Sequence, residues 1–232
     1  MEFGELVEGR LLERKNRFSA CALVGGRRVL THVANSGRLC ELLTPGRAVW
    51  LKPMARSGRK TAFDLALVQA DGGLVSVDAR LPNALFAEAL APTWPACGPV
   101  QRIEREIRLG ESRLDFLLTG ASGRCWVEVK SVTLVHDGVA MFPDAPTARG
   151  ARHLSALRRA VDEGDSAAVV FIVQREDADR FRPYAENDPV FALTLAEAQT
   201  AGVRVSAFRC HVSTSGIQVA DEIPACLHYE AG

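Results

Sequence analysis

The chain has 232 residues, 47% hydrophobic and 24% charged, a balance typical of a folded globular protein and not of a disordered one. Its 28 Lys and Arg residues equal its 28 Asp and Glu residues, so any surface for a polyanionic partner must be local. Six widely spaced cysteines exclude a zinc cluster, the N-terminus lacks the pattern of a secretion signal, and no stretch is apolar enough to span a membrane. We therefore expect a cytoplasmic protein with free thiols and no membrane partner.

The first part of the chain, residues 1–80, has the pattern of a small all-β domain. Short apolar segments separated by turn residues run from Leu6 to about Val77. This spacing predicts either a barrel or a sandwich. The Gly25–Gly26 pair predicts a hairpin turn, and Pro45–Gly46 predicts a tight turn into a strand.

The second part, residues 81–232, has the pattern of an α/β domain. A helix over 82–91 opens it, and the order β-β-β-α-β-α-β that follows predicts a mixed sheet. Gly164 and Gly202 are expected to end the two later helices. The predicted strands are 100–109, 112–120, 124–134, 166–174 and 203–213, and the predicted helices are 147–163 and 193–202.

The strongest chemical signal is a pair of carboxylates and a lysine on two adjacent predicted strands. Residues two apart on a strand share a face, so Glu128 and Lys130 project together, and Asp115 on the preceding strand can face them. Asp115, Glu128 and the backbone carbonyl of Val129 would suit Mg²⁺ or Mn²⁺, which prefer oxygen ligands. Such a metal can activate water and offset charge on a phosphodiester, with Lys130 orienting the water.

Two simpler interpretations stay open at this point. Glu128 and Lys130 could be an ordinary salt-bridged pair, although both they and Asp115 interrupt strands that otherwise look buried. Glu88, on the opening helix, is either a further catalytic carboxylate or a solvated residue of the helix surface.

Longer segments make the chain resemble the sugar fermentation stimulation protein A family. They are HVANSGRLCELLTPG (32–46), SRLDF (112–116), VEVKSVTL (127–134), MFPDAPTARGARHLSAL (141–157), AVVFIVQ (168–174) and RFRPYAENDP (180–189). The resemblance implies an N-terminal OB-fold barrel, a PD-(D/E)xK nuclease-like domain and DNA binding. It also implies Asp115, Glu128 and Lys130 as the site, with Glu88 as a helix carboxylate. The family often has an acidic residue where Ala148 stands, so that carboxylate is missing here, and a lysine where Arg152 stands.

Several residues of the first domain are candidate contacts to nucleic acid. They are Arg14 and Arg17, beside Lys15 and Phe18, and the loop residues His32, Asn35 and Arg38. OB folds bind strands through a basic groove that carries aromatic side chains. The run Arg14–Arg17 could instead be a solvated turn. Since only 6% of the residues are aromatic, weak and salt-sensitive binding to the backbone is expected.

A second group of candidate contacts begins the helix predicted from about Thr147. Arg149, Arg152 and His153 lie where a helix N-terminus can bind phosphate. Asp144, in the preceding loop, could bind metal or cap this helix, although Thr147 is the simpler cap.

Three functions remain open from the sequence. The first is a DNA-binding protein with a Mg²⁺-dependent nuclease site, acting on single- or double-stranded DNA or on RNA, either as a monomer or as a homodimer. The second is a DNA-binding regulator that keeps the fold without catalysis. The third is an enzyme acting on a small nucleotide or a phosphorylated sugar.

Overall fold

The computed structural model describes residues 1–54 and 60–227. The first domain is a closed barrel of five strands, extended at one edge by a sixth. The strands are β1 (Val7–Asn16), β2 (Ser19–Val24), β3 (Arg27–His32), β4 (Ala48–Pro53), β5 (Phe63–Ala70) and β6 (Gly73–Ser76). Antiparallel pairs join β1 to β2 and β4, β2 to β3, and β4 to β5, and a parallel β3–β5 pairing closes the barrel. The strand spacing left a barrel or a sandwich open, and the OB-fold barrel that the resemblance implied is confirmed.

Turn chemistry and an apolar interior explain why these segments form a barrel. Gly25 and Gly26 both have positive φ, as the expected two-residue hairpin turn requires. Gly46, with φ of 89°, follows Pro45 in the turn before β4. The side chains of Leu11 and Leu51 are completely buried in the centre.

The second domain consists of a mixed six-stranded sheet, a small three-stranded sheet and flanking helices. The main sheet has the order β15-β14-β12-β9-β8-β7, in which β9, β12 and β14 are mutually parallel neighbours. The strands are β7 (Val100–Leu109), β8 (Ser112–Gly120), β9 (Gly123–Val132), β10 (Leu134–His136), β11 (Val139–Phe142), β12 (Ser166–Val173), β13 (Arg180–Pro183), β14 (Arg204–Val212) and β15 (Ile217–Ile223). This is the mixed-sheet α/β domain that the sequence predicted.

Helices cover both faces of the main sheet. Helix α1 (Leu81–Leu85) continues through a π-helical turn (Phe86–Leu90) and packs on one face with part of the barrel. The helices α2 (Ala148–Asp162) and α3 (Pro189–Thr200) pack on the other face. Gly164 and Gly202 have positive φ just beyond α2 and α3, so both expected helix stops are confirmed.

Four strands were not predicted, and α3 begins earlier than expected. Strands β10 and β11 form a hairpin, β13 pairs in parallel with β11, and β15 pairs with β14. Helix α3 begins at Pro189 and not at residue 193, because the carboxylate of Asp188 accepts the backbone N–H of Phe191 and caps it.

The two domains share buried contacts. Ala66 and Leu67 of β5 belong to the same apolar cluster as Phe86 and Phe116 of the second domain. The buried Gln174, just after β12, accepts a hydrogen bond from Ser76 Oγ of the barrel (3.1 Å) and donates one to Ser131 Oγ (3.0 Å). Within the described residues, no helix is long and apolar enough to cross a membrane.

Candidate functional site

The candidate site lies where β8 and β9 separate. Their ladder runs from Gly120↔Gly123 to Phe116↔Val127, and the next opposed residues are Asp115 and Glu128. There the backbone N–H of Val129 donates to Asp115 Oδ2 (2.8 Å) instead of to a strand carbonyl. Since the N–H and C=O of one strand residue point to the same side, the Val129 carbonyl also faces this gap. The carboxylate of Asp115 thus replaces a ladder hydrogen bond and keeps the strands apart.

Glu128 is a buried carboxylate with two cationic or polar partners on one oxygen. Its Oε1 accepts from Lys130 Nζ and from His153 Nδ1 (2.5 Å), while Oε2 is buried and has no hydrogen-bond partner among the described residues. Burial raises the pKa of Glu128, but the His153 hydrogen bond and the Lys130 ammonium outweigh that effect, and the pKa ends below its ordinary value. Glu128 therefore stays ionised, with one oxygen free.

Asp115 is held in place by α1. Its Oδ1 accepts a hydrogen bond from Asn83 Nδ2 (2.8 Å). Burial and the negative charge of Glu128 raise the pKa of Asp115 to about 6, against the opposing effect of the Val129 N–H and of Asn83. Two carboxylates therefore repel each other in a largely desolvated place, which is the condition that a bound cation relieves.

His153 lies in this site and not on an exposed surface. It is buried, and Arg149 Nε donates to its Nε2 (3.3 Å), so the hydrogen on the other ring nitrogen points at Glu128. The sequence proposed His153 as a nucleic-acid contact. Its burial instead makes it a partner of Glu128.

For Glu88 the sequence left open a catalytic carboxylate or a solvated residue of the helix surface, and its exposure agrees with the second. Glu88 lies in the π-helical turn with an exposed side chain, and no hydrogen bond joins it to Asp115, Glu128 or Lys130. Helix α1 brings Asn83 to the site instead. Sequence reasoning missed Asn83 because an amide at a helix start carries no signal of its own.

The metal-binding possibilities are limited to a small set of oxygens. Among residues 1–54 and 60–227 no three His, Cys, Asp or Glu side chains are gathered as a metal cluster. Asp115, Glu128 and the Val129 carbonyl are the predicted ligands, and the free Oε2 of Glu128 together with the raised pKa of Asp115 fits a hard cation.

Asp144 neither lies in that set nor caps α2. Its Oδ2 accepts the backbone N–H of Leu39 (2.7 Å), which ties the loop before α2 to the barrel. Thr147 caps α2 by accepting the Gly150 N–H (3.0 Å), as the simpler expectation had it.

The other predicted nucleic-acid residues divide into those that hold the barrel loop together and those that are exposed. Arg14 donates to four backbone carbonyls, those of Asn16, Arg17, Gly37 and Arg38, and so organises the loop. Asn35 is buried, donates to the Val77 carbonyl (3.1 Å) and accepts from the Gly37 N–H (2.8 Å). His32 Nδ1 lies 3.0 Å from the Phe18 carbonyl.

The exposed ones are Arg17, Arg38, Arg149 and Arg152. Two of them also have a protein partner, since Arg17 Nε donates to the Ser36 carbonyl (2.8 Å) and Arg149 Nε to His153. The guanidinium of Arg17 lies 5.5 Å from the centre of the Phe18 ring.

The fold and the site together define a class: a protein in which an OB barrel is joined to a mixed-sheet α/β domain that carries a buried pair of carboxylates. Two sequence profiles divide the chain in the same way, the SfsA N-terminal OB domain at residues 12–77 and the sugar fermentation stimulation protein RE domain at residues 80–216. The chain belongs to the sugar fermentation stimulation protein (SfsA) family.

Relatives resemble it over nearly their whole length. A sugar fermentation stimulation protein homolog from Desulforamulus reducens is 46% identical over 96% of this chain and 93% of its own. One from Moorella thermoacetica is 49% identical over 89% and 90%. Among solved structures, that of Pyrococcus furiosus SfsA in complex with Ca²⁺ has a TM-score of 0.86 and 34% identity, and the match covers 97% of both chains.

Proposed function

We propose that this protein binds DNA and hydrolyses phosphodiester bonds with a divalent cation held by Asp115, Glu128 and the Val129 carbonyl. The observation that carries the proposal is the pair of desolvated carboxylates at the separation of β8 and β9, where one oxygen of Glu128 is buried without a partner. A buried charge of this kind is costly unless a cation or a hydrogen bond compensates it.

The ligand chemistry agrees with a hard cation. All three predicted ligands present oxygen, which Mg²⁺ and Ca²⁺ both prefer. The related Pyrococcus furiosus protein was solved in complex with Ca²⁺, which supports a divalent-cation site in this family fold. When bound, Mg²⁺ or Mn²⁺ would supply a water of lowered pKa and positive charge beside the scissile phosphate.

The chain's own residues would position the substrate. Asn83 and the Val129 N–H fix both oxygens of Asp115, and His153 fixes Glu128. The ammonium of Lys130, half-buried beside Glu128, offers a positive charge that can neutralise a non-bridging phosphate oxygen. Exposed Glu88 would be at most an outer carboxylate, and a Glu88→Gln variant tests that role.

A second candidate, a DNA-binding regulator that does not cut, is favoured by one feature of the same site. Glu128 Oε1 already has both Lys130 and His153 as partners, so the charge is largely compensated without metal. In that case the site would serve stability alone.

The test is incubation with plasmid, linear duplex, single-stranded DNA and RNA, in Mg²⁺, in Mn²⁺ and in EDTA. Wild type would be compared with Lys130→Met and with the exposed control Glu111→Gln, which lies in the turn between β7 and β8. Metal-dependent cutting that is kept in Glu111→Gln and lost in Lys130→Met, at a temperature where circular dichroism shows Lys130→Met folded, supports hydrolysis. If the protein binds DNA but cuts none of these substrates, the second candidate, a DNA-binding regulator, is supported instead.

A further inference from the structure

A cleft runs between the barrel and the second domain, past the end of β9. Its volume is about 210 Å³, and one wall consists of Arg17, Ala79 and the loop 35–37 of the barrel. The opposite wall consists of 131–133 and 141–147. Ser131 directly follows Lys130 on β9, but its side chain points to the opposite face of the sheet, toward Gln174 and the barrel.

The width of this cleft is fixed by contacts between its walls. The Leu39 N–H binds Asp144 across it, and a Cβ added to Gly37 would lie only 2.7 Å from Asp144 Oδ2. Near its floor, Gln174 links Ser76 of the barrel to Ser131 of β9. The cleft therefore cannot widen without breaking these buried or partly buried hydrogen bonds.

The mouth of the cleft is a basic, open depression. This depression, of about 570 Å³, shares Arg17, Gly37 and Pro146 with the cleft and adds Arg14 and Arg38. Among the described residues that line the two spaces, Asp144 is the single carboxylate, and the Leu39 N–H binds it. The exposed guanidinium groups can therefore meet phosphates with little competition.

An exposed aromatic ring stands beside this mouth. Phe18 is 49% exposed, and Arg17 lies against its ring. Solvent-exposed aromatic rings next to arginine are stacking positions for unpaired bases.

We propose that this cleft accepts one unpaired base of a single-stranded nucleic acid whose phosphates cross Arg17 and Arg38, with a neighbouring base stacked on Phe18. A cleft of about 210 Å³ is smaller than the roughly 300 Å³ of the smallest ordinary ligand pockets, so it suits one flat group. In a duplex each base is paired and stacked, and inserting it would require flipping it out. The inference rests on the proposed binding of nucleic acid, and it specifies the strandedness.

The test measures binding in EDTA, where metal-dependent cutting is absent. Fluorescence anisotropy would compare an oligothymidine of about 20 nucleotides, longer than one OB-fold site, with a blunt duplex of the same length. We expect the single strand to bind about tenfold or more tightly, since the flipping cost falls on the duplex alone. Arg17→Ala and Phe18→Ala should each weaken its binding about fivefold or more.

Matched controls in the barrel are Arg27→Ala and Leu30→Ala, an exposed arginine and a partly exposed leucine away from the cleft lining. Both should bind the single strand within about twofold of wild type. Ala79→Phe, which fills the cleft, should remove most of the preference for the single strand while the melting temperature is kept.

Equal binding of the duplex and the single strand by wild type would overturn the inference, as would unchanged binding in Arg17→Ala, Phe18→Ala and Ala79→Phe together. Cleavage is scored separately. If wild type cuts in Mg²⁺ but binds duplex and single strand equally well, the proposed hydrolysis is supported and this inference is wrong. If wild type never cuts but binds the single strand more tightly than the duplex, this inference is supported and the proposed hydrolysis is wrong.

Discussion

Replacing Lys130 with methionine should destabilise the fold strongly, because it leaves a buried carboxylate with one partner fewer. The Glu128 side chain is only 4% exposed and that of Lys130 13%, so solvent cannot replace the lost ammonium. Removing one partner of such a pair costs about 3–5 kcal/mol. His153 still donates to the same oxygen of Glu128, so we expect the lower end, about 3 kcal/mol.

For a chain of 232 residues, about 1 kcal/mol corresponds to a change of roughly 2–4 °C in melting temperature. Lys130→Met should therefore melt about 6–12 °C below wild type in scanning calorimetry at pH 7 without metal. The matched control is Lys15→Met, whose partner Glu13 is well exposed, and its cost should stay below about 1 kcal/mol.

A double variant separates charge from packing. In Glu128→Gln with Lys130→Met no buried charge remains unpaired, so the double variant should be more stable than Lys130→Met alone. If Lys130→Met costs less than about 1 kcal/mol, or the double variant is the less stable of the two, the buried-pair reasoning is wrong.

Three further predictions concern contacts away from the carboxylates. Gln174→Ala should cost about 2 kcal/mol in urea unfolding, since Ser76 and Ser131 lose their shared buried partner, and an unchanged midpoint would contradict that role. Gly120→Ala should cost about 2 kcal/mol or more, because the new Cβ would lie 2.2 Å from the Cys97 carbonyl oxygen, and a soluble, equally stable variant would refute it. The hydrogen bonds and the charge of Arg175 hold the pKa of Asp177 below its ordinary value despite partial burial, so this pair stabilises the fold above the unfolded pKa of about 4 and the benefit is lost as the pH falls further. The difference in unfolding free energy between wild type and Asp177→Asn should therefore be large at pH 7 and shrink below pH ~4, and a difference that does not vary with pH would contradict it.

Local signals in the sequence were enough to predict an all-β first domain, either a barrel or a sandwich, and five of the six strands of the main sheet. Glycine and proline pairs mark the barrel turns, and the apolar runs of β9 and β12 mark buried strands. The hairpin of β10 and β11 also had a signal, because Asp137–Gly138 with positive φ is a preferred hairpin pair. Strand β13 had no such signal, since its four residues pair in parallel with a strand far away in sequence.

The candidate site was predictable only in part. Alternation along β9 was enough to put Glu128 and Lys130 on one face, and they are in contact. The partners that hold the site come from tertiary packing, which brings Asn83 of α1 to Asp115 and His153 of α2 to Glu128. Asp144 likewise does not cap α2, because its carboxylate accepts the Leu39 N–H in a contact between loops 105 residues apart.

Calorimetric titration of the purified chain with Mn²⁺ would show whether Asp115 and Glu128 bind a divalent cation. We expect a divalent-cation site in wild type and in Glu111→Gln, and its loss or strong weakening in both Asp115→Asn and Glu128→Gln, provided that circular dichroism shows the variants folded. Binding of equal affinity in all four proteins would contradict a cation site at the separation of β8 and β9.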